Sequence, residues 1–538
     1  MIRFQSKYSC KNYLMSVCKN ATWKQHCSSL IITRSNSVAS SKLSSSCLSN
    51  KLNKIPTPKK LKSFLDEYII GQDVGKKVLS VAVYNHYLRV NDKLKRTESE
   101  KRKEMLEEQL KIEKERLKVL QEDREDGGIK TETKYLDDTE ARHGLRNLEL
   151  QLSFEKNRFA GDCDLELSKS NVLMVGPSGS GKTLLATTLA RILDVPISIT
   201  DCTQLTQAGY IGEDVEVCIE RLLINADYDI AKTERGIIVL DEIDKLAKTN
   251  GSPGTKDVSG EGVQQALLKI LEGHPVSLTI KKPVNNEKDK NGNRVMGKKE
   301  ETFVIDTSNI LFILTGAFVG LDKAIAKRLR GNEKALSDND NIDIEEIVLK
   351  NGSKTSALSL VTPTDLASFG LIPELIGRVP VLTALEPLKK QDLFNILKEP
   401  KNAILNQYSY IFKQFGVKLA VTDEALKSIS QLALQNGTGA RGLRGIMEKL
   451  LLDVNFNCPE SGIKYVLINS KTVNSLKEHE NNLSATNVKA QYYSRGQVDD
   501  FIHDAYEEDH KLGLELDSFF NITSAIEGKK RDEGLNSI

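Results

Sequence analysis

Acidic residues are missing from the first 65 positions, a segment that holds twelve Lys or Arg. Set that segment aside and 64 basic residues face 74 acidic ones, although the whole chain of 538 residues carries a formal charge of only +2. The body is therefore acidic, which argues against a broad nucleic-acid surface. No run of about eighteen apolar residues occurs, so no helical membrane span is expected. No C-x-x-C pair occurs either. Cys10, Cys18, Cys27 and Cys47 lie near the N-terminus, and Cys163, Cys202, Cys218 and Cys458 are scattered. Neither a structural zinc site nor a disulfide framework is expected from that spacing. No repeat of solenoid length is present.

What the N-terminus does contain is Ser, together with Arg3, Lys7, Lys11, Lys19, Lys24, Arg34 and Lys42. That balance, without a continuous apolar core, reads as a mitochondrial transit peptide ahead of the linker Ile55-Pro56-Thr57-Pro58. A disordered basic tail is the alternative.

Beyond the linker, Val78 to Leu88 has helical apolar spacing. From Asn91 to about Asp126 the chain is dense in Glu, Lys, Arg and Leu, with Leu106, Leu110, Leu117 and Leu120 near heptad positions and Glu113 between them. Two heptads are too few for a coiled coil, so a solvated helical insertion is expected, with a partner-binding helical arm as the alternative, ending at Gly127-Gly128 and followed by a polar stretch to about Gly161. Strands are expected at Val172 to Val175, Ile237 to Leu240 and Ile310 to Leu314, with helices between them. This is the α/β pattern of a parallel sheet flanked by helices. Residues 281–301 read as a loop, and Gly331 to Lys354 is polar and acidic. After Glu386 a smaller, mainly helical α+β domain is expected, with a strand at Tyr465 to Ile468 and a weakly patterned tail after about Asp509. The expected division is 1–58 (transit peptide and linker), 59–385 (large domain, insertion at about 91–160), 386–509 (small domain) and 510–538 (tail).

The strongest motif is Gly176-Pro177-Ser178-Gly179-Ser180-Gly181-Lys182-Thr183, which fits G-x-x-x-x-G-K-[ST] between a strand and a helix. Its backbone N–H groups and the helix N-terminus can cradle phosphates. Lys182 is expected to reach the β- and γ-phosphates of ATP, and Thr183 to ligate Mg2+. About sixty residues on, Ile237-Ile238-Val239-Leu240 ends in Asp241-Glu242. Asp241 can hold the magnesium–water shell, and Glu242 can act as the base for the attacking water. Thr315 can touch the γ-phosphate or that water, or bond its own backbone.

These motifs, with Leu65-Asp66-Glu67-Tyr68-Ile69-Ile70-Gly71-Gln72, Val81 to Tyr87 and Gly439-Ala440-Arg441-Gly442-Leu443-Arg444, resemble the ClpX family of AAA+ protein unfoldases, most closely its mitochondrial branch. The resemblance runs from about Leu61 to about Pro459, apart from the insertion. It implies a homo-hexamer with ATP between neighbours, Ile69 and Ile70 near the adenine, Arg378 as an arginine finger and Arg441 as a sensor in the small domain. It implies a pore loop tipped by Tyr210 and Ile211, a second one over Asp257 to Val263, and unfolded or remodelled proteins of the mitochondrial matrix as substrates. Support of haem biosynthesis through aminolevulinate synthase follows within that branch. The chain departs from the family in three places. The paired C-x-x-C motifs of the N-terminal zinc domain are missing, so no zinc is expected. The Arg-Lys-His entrance loop is not found in 281–301. No Ile-Gly-Phe tripeptide lies between Leu321 and Phe369, so ClpP binding is not expected. The competing readings are a regulatory subunit of a ClpXP-type protease and a nucleotide-gated scaffold.

Overall fold

The computed structural model describes residues 55–125, 132–157, 165, 167–206, 213–247, 260–283, 298–330, 346–348, 354–478 and 490–521. Residues 1–54, most of the segment expected to be a transit peptide and linker, lie outside them. No described helix is long and apolar enough to cross a membrane.

Five strands form the central sheet: β1 (Val172–Val175), β2 (Ile197–Asp201), β3 (Ile237–Asp241), β4 (Leu311–Gly316) and β5 (Val381–Ala384). All pair in parallel, in the order β5-β1-β4-β3-β2, with Val172 beside both Val381 and Ile313 and Ile237 beside Leu311. Side chains alternate across the sheet, so the inner strands feed two cores. Met174, Val239 and Ile313 meet Leu65, Leu79, Val83, Leu185 and Leu189 on one face. Leu173, Val175, Ile238, Leu240 and Phe312 meet Ile219, Leu222 and Leu267 on the other. Burial on both faces is why β1 and the Leu311–Leu314 stretch of β4 are apolar runs, as the sequence suggested. Cys202 and Cys218 are free thiols inside the second core, and burial pushes both up in pKa, Cys218 to about 12. They are packing residues.

Helix α1 (Pro58–Tyr68) opens with Pro at its first position, where a missing N–H costs nothing. Helix α2 (Asp73–Glu125) then runs for 53 residues, about 80 Å at 1.5 Å per residue. Its first turns pack on the sheet and the rest projects as an arm against α3 (Glu132–Asn157). The insertion is helical, as expected, while the polar stretch after it holds a second helix that the sequence reading did not give. Leu106, Leu110 and Leu117 of α2 are spaced four and seven apart, with Glu113 at the intervening position, and half-buried Leu145, Leu148 and Leu152 of α3 are spaced three and four, the pattern of a short antiparallel helical seam. The seam is dilute, and ion pairs such as Arg102–Glu155 (3.2 Å) and Lys156–Glu107 (3.2 Å) flank it.

The expected loop over 281–301 is also corrected. Its ends belong to an antiparallel hairpin, Pro275–Pro283 against Lys298–Asp306, whose tip (284–297) lies outside the described residues. Within 331–354, Glu346–Val348 pairs with Lys354–Ser356, another strand pair that composition hid.

The small domain has three strands, β6 (Lys418–Val421), β7 (Ile463–Ile468) and β8 (Gln491–Ser494), with β7 parallel to β6 and antiparallel to β8. Helices Asp423–Gln435 and Ala440–Asn457 supply most of its core, including Leu426, Ile429, Leu443, Met447 and Leu450. The tail expected from residue 510 in fact begins as a helix over 510–521. Leu512, Leu516 and Phe520 recur at intervals of four and pack on Tyr465 and Phe501. This places the first part of the tail inside the small domain.

Candidate nucleotide site

The phosphate loop connects β1 to α4 (Lys182–Leu193) at the C-terminal edge of the sheet, where ligands of open parallel sheets bind. Gly179 and Gly181 have φ of +77° and +96°, left-handed values that L side chains rarely adopt. A Cβ on Gly181 would meet nothing within 4 Å, whereas one on Gly179 would lie 2.6 Å from the Thr438 carbonyl. The loop is thus open at Gly181 and covered at Gly179 by the small domain, whose Ala440 N–H donates to Gly179 O (3.3 Å). Gly179→Ala would add a left-handed penalty of about 1–2 kcal/mol to that clash. The expected result is a roughly tenfold loss of affinity for a fluorescent ATP analogue, read by titration of the purified protein.

Lys182 is buried and donates to Gly176 O (2.7 Å) and Pro177 O (3.0 Å), which holds its ammonium at the mouth of the loop. Burial lowers its pKa, and nearby Asp241 and Asp244 oppose that shift. Arg441, at the start of helix Ala440–Asn457, is close enough to lower it further, so the small domain brings a second cation to the phosphate loop.

Asp241, the last residue of β3, is the hub. Its Oδ2 accepts from Thr183 Oγ1 (2.9 Å), and its Oδ1 accepts from Thr315 Oγ1 (2.5 Å) and from the Glu242 N–H (3.0 Å). Thr315 sits within β4 rather than closing it, fully buried, and its hydroxyl faces Asp241 instead of its own backbone. Glu242 is exposed and left-handed, with φ 59° and ψ 35°. For a non-glycine residue that backbone stores strain, a feature that concentrates at functional sites. Sequence reasoning missed Asp244. It is buried, and its Oδ1 accepts from the Ala317 N–H (3.1 Å), tying the turn after β3 to the end of β4. The D-E-x-D spacing was the available signal.

The residues fit MgATP. Ser180 Oγ is buried without a hydrogen-bond partner among the described residues, an orphan donor inside the phosphate cradle. Thr183 and Asp241 together offer the hard oxygen donors that Mg2+ takes.

Ile69 is buried at the end of α1, on the core that holds Met174 and Leu185, and Ile70 is half-buried beside it. Arg378 stands apart. It is half-exposed and pairs with Glu272 (2.6 Å). No hydrogen bond or ion pair links it to the phosphate loop or to Asp241 and Glu242 among the described residues. Tyr210 and Ile211 lie outside the described residues, as do 257–259. The stem of the first loop is closed by a short parallel pairing, Leu205 with Glu213 and Thr206 with Asp214. The second leads into helix Glu261–Glu272, so its last residues, 261–263, already belong to that helix.

Residues 167–382 match the family model of the AAA domain (Cdc48 subfamily). Residues 388–456 match that of the C-terminal, D2-small domain of ClpB protein. The chain is 58% identical over 506 residues to the ATP-dependent clpX-like chaperone, mitochondrial, of Saccharomyces cerevisiae (strain ATCC 204508 / S288c), an alignment covering 90% of this chain and 93% of that protein. With a phosphate loop on a five-stranded parallel sheet, a carboxylate pair ending β3 and a helical small domain closing over the loop, the chain belongs to the ClpX-like family of AAA+ ATPases and hydrolyses ATP.

Proposed function

We propose that this chain is a protein unfoldase of the mitochondrial matrix, working as a homo-hexameric ring that threads polypeptide through its axis without a ClpP-type peptidase. The observation that carries this is the division of the site. Asp241 gathers Thr183, Thr315 and the Glu242 backbone around one carboxylate, while Arg378 is held away from them by Glu272. Arg441 approaches the loop from the same subunit, whereas Arg378 makes no such contact among the described residues, so a neighbour's Arg378 would supply the second guanidinium.

In this reading Lys182 and the loop N–H groups bind the phosphates and orient them. Thr183, and Asp241 through water, would hold Mg2+, which would supply charge neutralisation for the phosphates when bound. Glu242 takes the proton of the attacking water, and Thr315 keeps Asp241 turned toward Thr183. Arg378 of one subunit stabilises the charge spread over the phosphoryl group in the next. Arg441 links that event to the small domain, and Ile69 and Ile70 wall the adenine.

The relative's name supports the mitochondrial setting and an ATP-dependent chaperone role. Remodelling of matrix enzymes, including aminolevulinate synthase for haem biosynthesis, is the substrate class the resemblance points to. The missing Ile-Gly-Phe tripeptide supports work without a peptidase. Force would pass through Tyr210 and Ile211, whose aromatic and aliphatic side chains can grip any backbone by packing. Tyr210→Ala is expected to keep its ATPase rate while unfolding a tagged fluorescent reporter about tenfold more slowly, the scale of a lost aromatic contact worth about 1.5 kcal/mol. Reporter unfolding at the normal rate would reject the pore reading.

A further inference from the structure

Between α1 and α2 the chain makes a four-residue strap, Ile69-Ile70-Gly71-Gln72, which touches both domains. Ile69 anchors it in the core under β1, and Lys76 of α2 donates to the Ile69 carbonyl (3.0 Å). Its other end is fastened to the start of the small domain. Gln72 Nε2 donates to Glu386 O (2.7 Å), and Gln72 Oε1 accepts from the Glu386 N–H (2.9 Å).

One side-chain amide therefore reads both backbone groups of a single residue, as a neighbouring strand would. Only Asn or Gln carries a donor and an acceptor on one plane for this, and the pair of bonds also settles which amide atom is which. The strap is bent to make the grip. Gly71 and Gln72 are both left-handed, with φ of +67° and +58°. A glutamine held in that conformation is a strained choice, maintained by its partners.

Glu386 is where a change of domain angle has to pass. Leu385, just before it, is buried in the core of the sheet, and its N–H donates to Val175 O (2.7 Å) at the root of the phosphate loop. Leu388, just after, packs in the small-domain core. A second fastening lies beside the first. The Lys401 N–H donates to Glu67 O (2.9 Å), its Nζ meets the Glu67 carboxylate (2.6 Å) and lies 5.8 Å from the Tyr68 ring centroid.

We propose that Gln72 is the positioning residue through which the base end of a bound nucleotide sets the angle between the sheet domain and the small domain. The inference rests on Ile69 and Ile70 walling the adenine. A base wedged against them presses on the strap, and the strap moves Glu386 through two hydrogen bonds. Phosphate contacts reach the small domain separately, through Gly179, Ala440 and Arg441. The strap thus gives the base its own line to the hinge, and a nucleotide without a base would leave that line slack.

The test is Gln72→Glu in the full-length ring. The substitution keeps size, backbone cost and the bond from the Glu386 N–H, but it sets a carboxylate against the Glu386 carbonyl. A donor–acceptor dye pair, one dye on each domain, reports the hinge in the Glu242→Gln background, and ATPase is measured without that background. The expected result is ATP-analogue affinity and KM within about threefold of the parent, kcat lower by about fivefold or more, and less than half of the parent's MgATP-driven distance change. Gln72→Met, similar in length and able to make neither bond, must give the same pattern. Magnesium tripolyphosphate must produce little distance change in the parent.

An unchanged distance step and kcat in both variants would overturn the proposal. So would a loss confined to melting temperature and binding, which is what a merely structural role produces. A full-sized step with tripolyphosphate would reject the base as trigger and leave the phosphate-loop reading standing.

Discussion

Glu242→Gln is expected to bind MgATP as tightly as the parent and to hydrolyse it about 10²–10⁴-fold more slowly, the usual contribution of a positioned general base. The substitution removes the proton acceptor and little else. Glu242 is exposed at the end of β3, and its backbone N–H, not its side chain, makes the bond to Asp241. The Thr183–Asp241–Thr315 cluster, and with it the magnesium-binding oxygens, is left in place. Steady-state turnover beside equilibrium binding of a fluorescent nucleotide separates the two effects. Turnover near the parent value would remove the base assignment. Loss of binding in parallel with turnover would mean that the left-handed turn at Glu242 matters for its shape and not for its carboxylate. If the proposed unfoldase reading holds, the same variant purified from mitochondria with ATP should retain bound polypeptides.

Arg378→Ala is expected to cost more, about 10³–10⁵-fold in turnover, the range seen when an arginine finger is withdrawn from a phosphoryl-transfer site. The informative experiment is mixing. Arg378→Ala and Lys182→Ala subunits should each be inactive alone, because one lacks the finger and the other the phosphate lysine. Co-assembled, some interfaces pair an intact Lys182–Glu242 site with an intact Arg378 from the next subunit, and activity should return in part. An arginine acting within its own chain gives no recovery at any mixing ratio. Arg378 is half-exposed on Glu272 and has no hydrogen bond or ion pair to Asp241 among the described residues, so recovery is the outcome expected of a finger offered to a neighbour. Glu272→Ala serves as a comparison. An exposed ion pair of this kind is worth about 1 kcal/mol or less, so its removal should change turnover only a few-fold.

Much of the site was readable in advance because its chemistry is written in short runs. A strand, a glycine turn and a helix start lie within about twenty residues around Lys182, and each imposes its own residue types. Buried β3 and β4 announce themselves for the same reason, since strands covered on both faces must be apolar throughout. The elements missed were those whose burial is one-sided or shared. In the hairpin Pro275–Pro283, Leu278 and Ile280 are buried while Ser277 and Thr279 face out, an alternation masked by charged neighbours. Helix Glu132–Asn157 shows only every third or fourth residue to α2, so its composition reads as polar. The tail helix over 510–521 is held by two leucines and a phenylalanine.

From its residues alone this chain specifies a phosphate loop, a carboxylate pair on a parallel sheet and an acidic body after a basic N-terminal segment, because those properties depend on neighbours in sequence. Tertiary structure decided the rest: Thr315 and Thr183 on the two oxygens of Asp241, Asp244 under Ala317, Arg441 brought to the loop and Arg378 kept from it, and Gln72 gripping a residue 314 positions away. Such contacts join segments that are remote along the chain. No local pattern encodes them, and they exist only once both cores have closed around the sheet.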